Sequence, residues 1–197
     1  MNSKRDHIVI LSDIVDSCSE GRGITYVMMA SGLNYIQAKR YLEYAIDRGF
    51  IEVVNASSRR IYRATTKGLK FLRAVKCLRR IINGGLTDFD VNEFSLETIN
   101  SMEVLTEVYS EFRRGKLDLY ACILLQTLTP ISISTLCNKC FLNRMTCTHA
   151  VSTLLRLGLL REVEGGNDRR IRRLYEVTDE GLYFLQNYIL AVTLLSS

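Results

Sequence analysis

The sequence predicts a mainly α-helical chain with small β-hairpins, built as two copies of one unit joined by an acidic helical bridge. Three observations predict it: an internal repeat, the same order of apolar periodicities inside each copy, and a segregation of charge along the chain. The repeat comes first. Ile24 to Ile51 aligns without a gap on Ile133 to Leu160, with Ile24/Ile133, Leu33/Leu142, Asn34/Asn143 and Gly49/Gly158 identical. Apolar positions coincide at Val27/Leu136, Ile36/Met145, Leu42/Val151, Ile46/Leu155, Phe50/Leu159 and Ile51/Leu160. Arg59 to Leu72 then aligns on Arg172 to Leu185, and the four extra residues of the second copy fall in Glu164-Gly165-Gly166-Asn167-Asp168. A Gly/Asn/Asp insertion is what a solvent-exposed hairpin tip tolerates.

Each element of the unit has a local cause. Ile8, Ile10, Leu11 and Ile14 stand at helical spacing within Asp6 to Cys18, and Glu20-Gly21-Arg22-Gly23 stops that helix. Thr25 to Ala30 reads as a short helix, Gly32-Leu33-Asn34 as a turn, and Asn34 as the N-cap of a longer helix that ends at Gly49. Ala38, Leu42, Ala45 and Ile46 form the apolar stripe of that helix, which turns Gln37, Arg40 and Tyr44 outward. Phe50 to Val54 and Ile61 to Thr65 read as strands joined by the tip Asn55-Ala56-Ser57-Ser58, and Thr66 opens a helix to about Ile82. Helix, helix, turn, helix, hairpin, helix is the order of a winged helix-turn-helix, and it recurs from Leu117 to the C-terminus. The expected domains are therefore 1–83, an acidic linker at 84–115 with a helix over 96–112, and 116–197.

The run Ser31-Gly32-Leu33-Asn34-Tyr35-Ile36-Gln37-Ala38-Lys39-Arg40-Tyr41-Leu42-Glu43, followed by Arg48-Gly49-Phe50-Ile51-Glu52 and Thr66-Lys67-Gly68-Leu69-Lys70-Phe71-Leu72, resembles the archaeal winged-helix DNA-binding proteins of the small coiled-coil dimer type. Through Leu157-Gly158-Leu159-Leu160 and Thr178-Asp179-Glu180-Gly181, the second copy is similar to the generic winged helix of the multiple-antibiotic-resistance regulator family. These resemblances imply an archaeal transcriptional regulator or chromatin-associated factor. Two units in one chain depart from the small archaeal pattern, so its dimer geometry is not carried over.

Charge supports a polyanionic partner. The chain holds 26 Lys+Arg and 21 Asp+Glu, a net +5. Seven acids, Asp88, Asp90, Glu93, Glu97, Glu103, Glu107 and Glu111, lie between Asn83 and Phe112, where there is no Lys or Arg, which leaves the rest of the chain strongly basic. The candidate DNA contacts in the first unit are Tyr35, Gln37, Lys39, Arg40 and Tyr44 on the third helix, with Arg59, Arg60 and Arg63 on the hairpin. In the second unit they are Arg144, Thr146, Thr148 and His149, with Arg169, Arg170, Arg172 and Arg173. A third helix in the major groove and guanidinium groups on phosphates or in the minor groove would use them. The bland alternative is a solvated arginine face. The bridge acids read either as a solubilising spacer or as a mask for a basic face.

Catalysis has few candidates. No G-x-x-x-x-G-K-[ST] loop and no G-x-S-x-G elbow occurs, and the histidines are His7 and His149. His7 reads as a surface or helix-start residue, and the chain is expected to be no enzyme and to need no cofactor. Cys137-Asn138-Lys139-Cys140 with Cys147 and His149 has spacing that zinc could use. Cys137 and Cys147 align on the interior positions Met28 and Ala38, however, which favours buried thiols; a redox-responsive repressor with a bond such as Cys140 to Cys147 is the other reading. Cys18, Cys77 and Cys122 read as single core thiols. No apolar run reaches the roughly 20 residues that span a bilayer, and no signal peptide is expected at the N-terminus, so the expected setting is cytoplasmic and nucleoid-associated. The helix from Gly181 to Leu195 is apolar around most of its circumference, which calls for core burial or for a homodimer through it or the bridge helix. The rival function is a protein-assembly module, similar to the tandem winged helices of segregation and condensation protein B or of endosomal sorting complexes.

Overall fold

A computed structural model describes residues 6–56, 59–84, 115–164 and 173–196. The elements, in order, are α1 (His7–Ser17), α2 (Ile24–Ser31), α3 (Tyr35–Asp47), β1 (Ile51–Ala56), β2 (Arg59–Ala64), α4 (Thr66–Ile82), α5 (Lys116–Gln126), α6 (Ile133–Lys139), α7 (Arg144–Arg156), β3 (Leu160–Glu164), β4 (Arg173–Val177) and α8 (Asp179–Ser196). The molecule is mainly helical with two antiparallel hairpins, and the described chain divides into two compact units, with breaks within α4 after Cys77 and within α8 after Ile189, so that the end of α8 belongs to the first unit. The bridge helix expected at 96–112 and Arg169, Arg170 and Arg172 lie outside the described residues.

The two halves share local chemistry as well as element order. Asn34 caps α3 by accepting from the Gln37 amide at 2.9 Å, and Asn143 caps α7 by accepting from the Thr146 amide at 2.8 Å. Glycines at positive φ end both helices, Gly49 at 69° and Gly158 at 73°. The hairpins have the same register: Ile51 faces Ala64 as Leu160 faces Val177. A single-residue antiparallel bridge adds to each two-stranded hairpin, since Tyr62 and Arg22 exchange two backbone hydrogen bonds, as do Tyr175 and Ile131. Strand pairing extends β1 and β2 to Ala56 and Arg59, two residues closer to the tip than the sequence suggests.

The hairpin is fastened to the last helix by a threonine in both units. Thr65 Oγ1 donates to the Gly49 carbonyl at 2.6 Å and accepts from the Gly68 amide at 3.1 Å. Thr178 repeats this with the Gly158 carbonyl and Gly181 amide at the same distances. The helix start consequently lies so close to the third helix's exit that a Cβ on Gly68 would stand 2.2 Å from the Phe50 carbonyl oxygen, and one on Gly181 would stand 2.3 Å from that of Leu159. Glycine is required there for lack of space.

The core of the first unit includes Ile8, Leu11, Ile14, Val15, Val27, Leu42, Phe50 and Phe71, with the rings of Phe50 and Phe71 stacked at 4.7 Å. The second unit buries Leu117, Ile123, Leu124, Leu136, Leu154, Leu159 and Phe184. Its Asp118 accepts from the Gly115 amide at 2.6 Å and from the Tyr188 hydroxyl at 2.7 Å. Along α8, Phe184, Leu185, Tyr188, Ile189, Ala191, Val192 and Leu195 are buried, whereas Leu190 is 45% exposed.

Candidate nucleic-acid interface

The stripe Ala38, Leu42 and Ala45 buries one side of α3 and presents the other to solvent. Tyr35, Ile36, Gln37, Lys39 and Arg40 are exposed there, and Glu43 joins them one turn further on. Lys39 and Glu43 stand 3.9 Å apart as an i,i+4 pair, and such exposed pairs contribute little stability. The Gln37 side chain is engaged locally, since its Oε1 accepts from the Asn34 amide at 3.4 Å. Tyr44 differs from expectation. It is half-buried, its ring meets that of His7 edge-on at 5.4 Å, and the Arg48 guanidinium lies 5.3 Å from its centroid.

His7 is the partner that draws Tyr44 inward. It opens α1 but is not a surface residue: its Nδ1 lies 3.2 Å from the Tyr41 hydroxyl, and the two rings are 5.2 Å apart. Burial lowers its pKa from 6.5 to about 4, with the Arg40 charge adding to the effect. The imidazole is therefore neutral at physiological pH.

Strand alternation sorts the arginines of the first hairpin. Arg59 and Arg63 project to one face and Arg60 to the other, and all three are exposed. Arg63 sits opposite Glu52, whereas Arg59 and Arg60 face Ala56 and Asn55. Among the described residues none of the three takes part in an ion pair. The second hairpin is different. Arg161 donates to Glu176 through Nε at 2.8 Å and Nη2 at 2.6 Å, and Arg173 lies 3.7 Å from Glu162. The acid of each pair already balances the charge that a phosphate would need.

On α7, Arg144, Thr146, Thr148 and His149 are all exposed, along with Met145. Cys137, Cys140 and Cys147 are buried, while His149 is exposed. Among the described residues no group of three or more His, Cys, Asp or Glu side chains is placed to hold a metal ion.

Two features escape the sequence reading. The first is a set of exposed apolar side chains around the turn and the third-helix start: Met29, 80% exposed, and Ile36, 78%, in one unit, and Phe141, 85%, and Met145, 83%, in the other. The coincidence of Ile36 with Met145 in the repeat marks the position, but a shared apolar residue looks like core until the face is known. The second is α4, which carries Lys67, Lys70, Arg73, Lys76, Arg79 and Arg80 and no acid. Lys70, Arg73 and Arg80 are exposed, and Lys76 pairs with Asp16 at 2.8 Å. The absence of acid over that whole helix was a signal available in the sequence.

A winged helix-turn-helix family model matches residues 4–83. Among solved structures, Sso10a-2, a DNA-binding protein from Sulfolobus solfataricus, is similar at 23% identity and a TM-score of 0.38, covering 56% of this chain and 100% of its own. ScpB from Mycobacterium tuberculosis is similar at 14% identity and a TM-score of 0.23, covering 90% of this chain and 96% of its own. Among curated proteins no relative matches. No described helix is long and apolar enough to cross a membrane.

Proposed function

We propose that the chain is a non-catalytic, double-stranded DNA-binding protein made of two tandem winged helix-turn-helix units, serving as a transcriptional regulator or chromatin-associated factor. The observation that carries this reading is the first unit's surface: an exposed third helix bearing Lys39 and Arg40, beside a hairpin whose Arg59 and Arg60 have no acid opposite them. Helix α3 enters the major groove, with Lys39 and Arg40 on phosphates or base edges and Ile36 suited to a thymine methyl group. The hairpin arginines reach phosphates or the minor groove. Helix α7 offers Arg144, Thr146, Thr148 and His149 in the corresponding place, with less charge.

The test is fluorescence anisotropy on a random-sequence duplex at several salt concentrations, with Arg59→Ala/Arg60→Ala in parallel. Each phosphate contact contributes about −0.9 to the log-log salt slope, so the double variant should flatten it by up to about 1.8. No binding at low salt would sink the reading. The second reading is a protein-assembly module, and the exposed Met29, Ile36, Phe141 and Met145 favour it, because apolar side chains on a helix-turn-helix face also suit a protein partner. Under that reading the arginine variant would leave binding partners unchanged, while Ile36→Ser and Met145→Ser would release them.

A further inference from the structure

Four of the six cysteines gather in the second unit: Cys122 from α5, Cys137 from α6, Cys140 at the C-cap of α6, and Cys147 from α7. They are present as thiols. They divide into two pairs. Cys122 Sγ lies 2.8 Å from Cys140 Sγ, and Cys147 is hydrogen-bonded with Cys137. We propose that Cys122 and Cys140 are a dithiol that a peroxide closes to an intramolecular disulfide, tying α5 to the turn in front of α7.

The sulfurs need to approach by only about 0.8 Å to reach bonding distance, a shift within the reach of side-chain rotation. Access also selects this pair. Cys122 is half-buried and is the cluster's most open thiol, whereas Cys137, Cys140 and Cys147 are buried. Peroxide oxidises the Cys122 sulfur to a sulfenic acid and is reduced to water. The Cys140 sulfur then attacks the Cys122 sulfur, the S–O bond breaks and the S–S bond forms, and a second water leaves with the Cys140 proton. Two thiols and one peroxide thus give one disulfide and two waters. Cys147 is a poor competitor, because burial, followed by its hydrogen bond with Cys137, pushes its pKa up to about 12 and keeps it a thiol.

The position gives the bond a structural consequence. Cys140 precedes Phe141, whose φ of 52° makes the turn that aims α7. Oxidation therefore fixes the turn from one side, whatever that face contacts, so the proposal is independent of the DNA-binding reading.

The experiment uses the full chain, reduced, exposed to hydrogen peroxide, alkylated and mapped by peptide mass spectrometry. The expected result is loss of two of the six alkylatable thiols, a cross-link joining the Cys122 and Cys140 peptides, a mass lower by about 2 Da for the two hydrogens removed, and full reversal by dithiothreitol. Cys140→Ser should abolish the cross-link and leave a Cys122 sulfenic acid that dimedone traps, while Cys77→Ser should leave the cross-link in place. Cross-linking of Cys137 to Cys147, a disulfide-linked dimer, or six thiols still alkylatable in wild type would each overturn the proposal. Since wild type alone decides between these, failure of a variant to fold does not protect it.

Discussion

Single atoms decide much at Gly68 and Gly181. Each has a neighbour's carbonyl oxygen where a Cβ would stand, and the obstacle is backbone, which cannot rotate away. Gly68→Ala and Gly181→Ala should therefore each cost roughly 3 kcal/mol, by forcing the helix start off the hairpin exit. Urea denaturation checks this, and a shift under about 1 kcal/mol at either site would show that the helix start gives way easily. His7 acts through its proton. Its folded pKa of about 4 lies below the 6.5 of the unfolded chain, so between those values the unfolded chain binds more protons. The stability from neutral His7 is thus fully present above pH 6.5 and is lost as pH falls towards 4. Thermal melts down that range should show a decline that His7→Gln makes shallower; parallel profiles for the two proteins would remove His7 as the cause.

At the level of elements, the turn between the second and third helices differs between the two units. Gly32 occupies it at φ 62° in the first unit and Phe141 at φ 52° in the second. A side chain in the left-handed region costs roughly 1 kcal/mol or more, and Phe141 recovers none of this by packing, being 85% exposed. Phe141→Gly should then leave stability unchanged or raise it by up to about 1 kcal/mol, despite deleting a ring. Chemical denaturation reads this directly, and a clear loss of stability would mean that the ring is packed. The described helices, both hairpins and the cap at Asn34 were legible in the sequence, because capping, apolar period and glycine stops are local. Tyr44 was misplaced because its inward turn depends on His7, 37 positions away in the chain, and periodicity on α3 holds no information about that ring. The Cys122 to Cys140 pairing was hidden for the same reason. The arginines were visible as a cluster, but only register distinguishes Arg59 and Arg60, opposite neutral residues, from Arg173, beside Glu162.

Across the whole molecule, charge is distributed unequally between two units of similar backbone. Helix α4 has six basic residues and no acid, four of them in the first unit, while α8 has Asp179 and Glu180 and no basic residue. The first hairpin leaves Arg59 and Arg60 unopposed, whereas the second pairs Arg161 with Glu176 and Arg173 with Glu162. An arginine already balanced by a carboxylate must leave that partner to meet a phosphate, and the carboxylate left behind repels the same phosphate. The first unit should therefore carry most of the salt-dependent affinity. In anisotropy titrations, Arg59→Ala/Arg60→Ala should lower affinity and flatten the salt slope by up to about 1.8, while Arg161→Ala/Arg173→Ala should change the slope by less than about 0.9. Equal flattening by the two double variants would show that phosphates displace the glutamates readily, and the units would then share the duplex evenly. A larger effect from the second pair would reverse the assignment and make the second hairpin the principal phosphate contact.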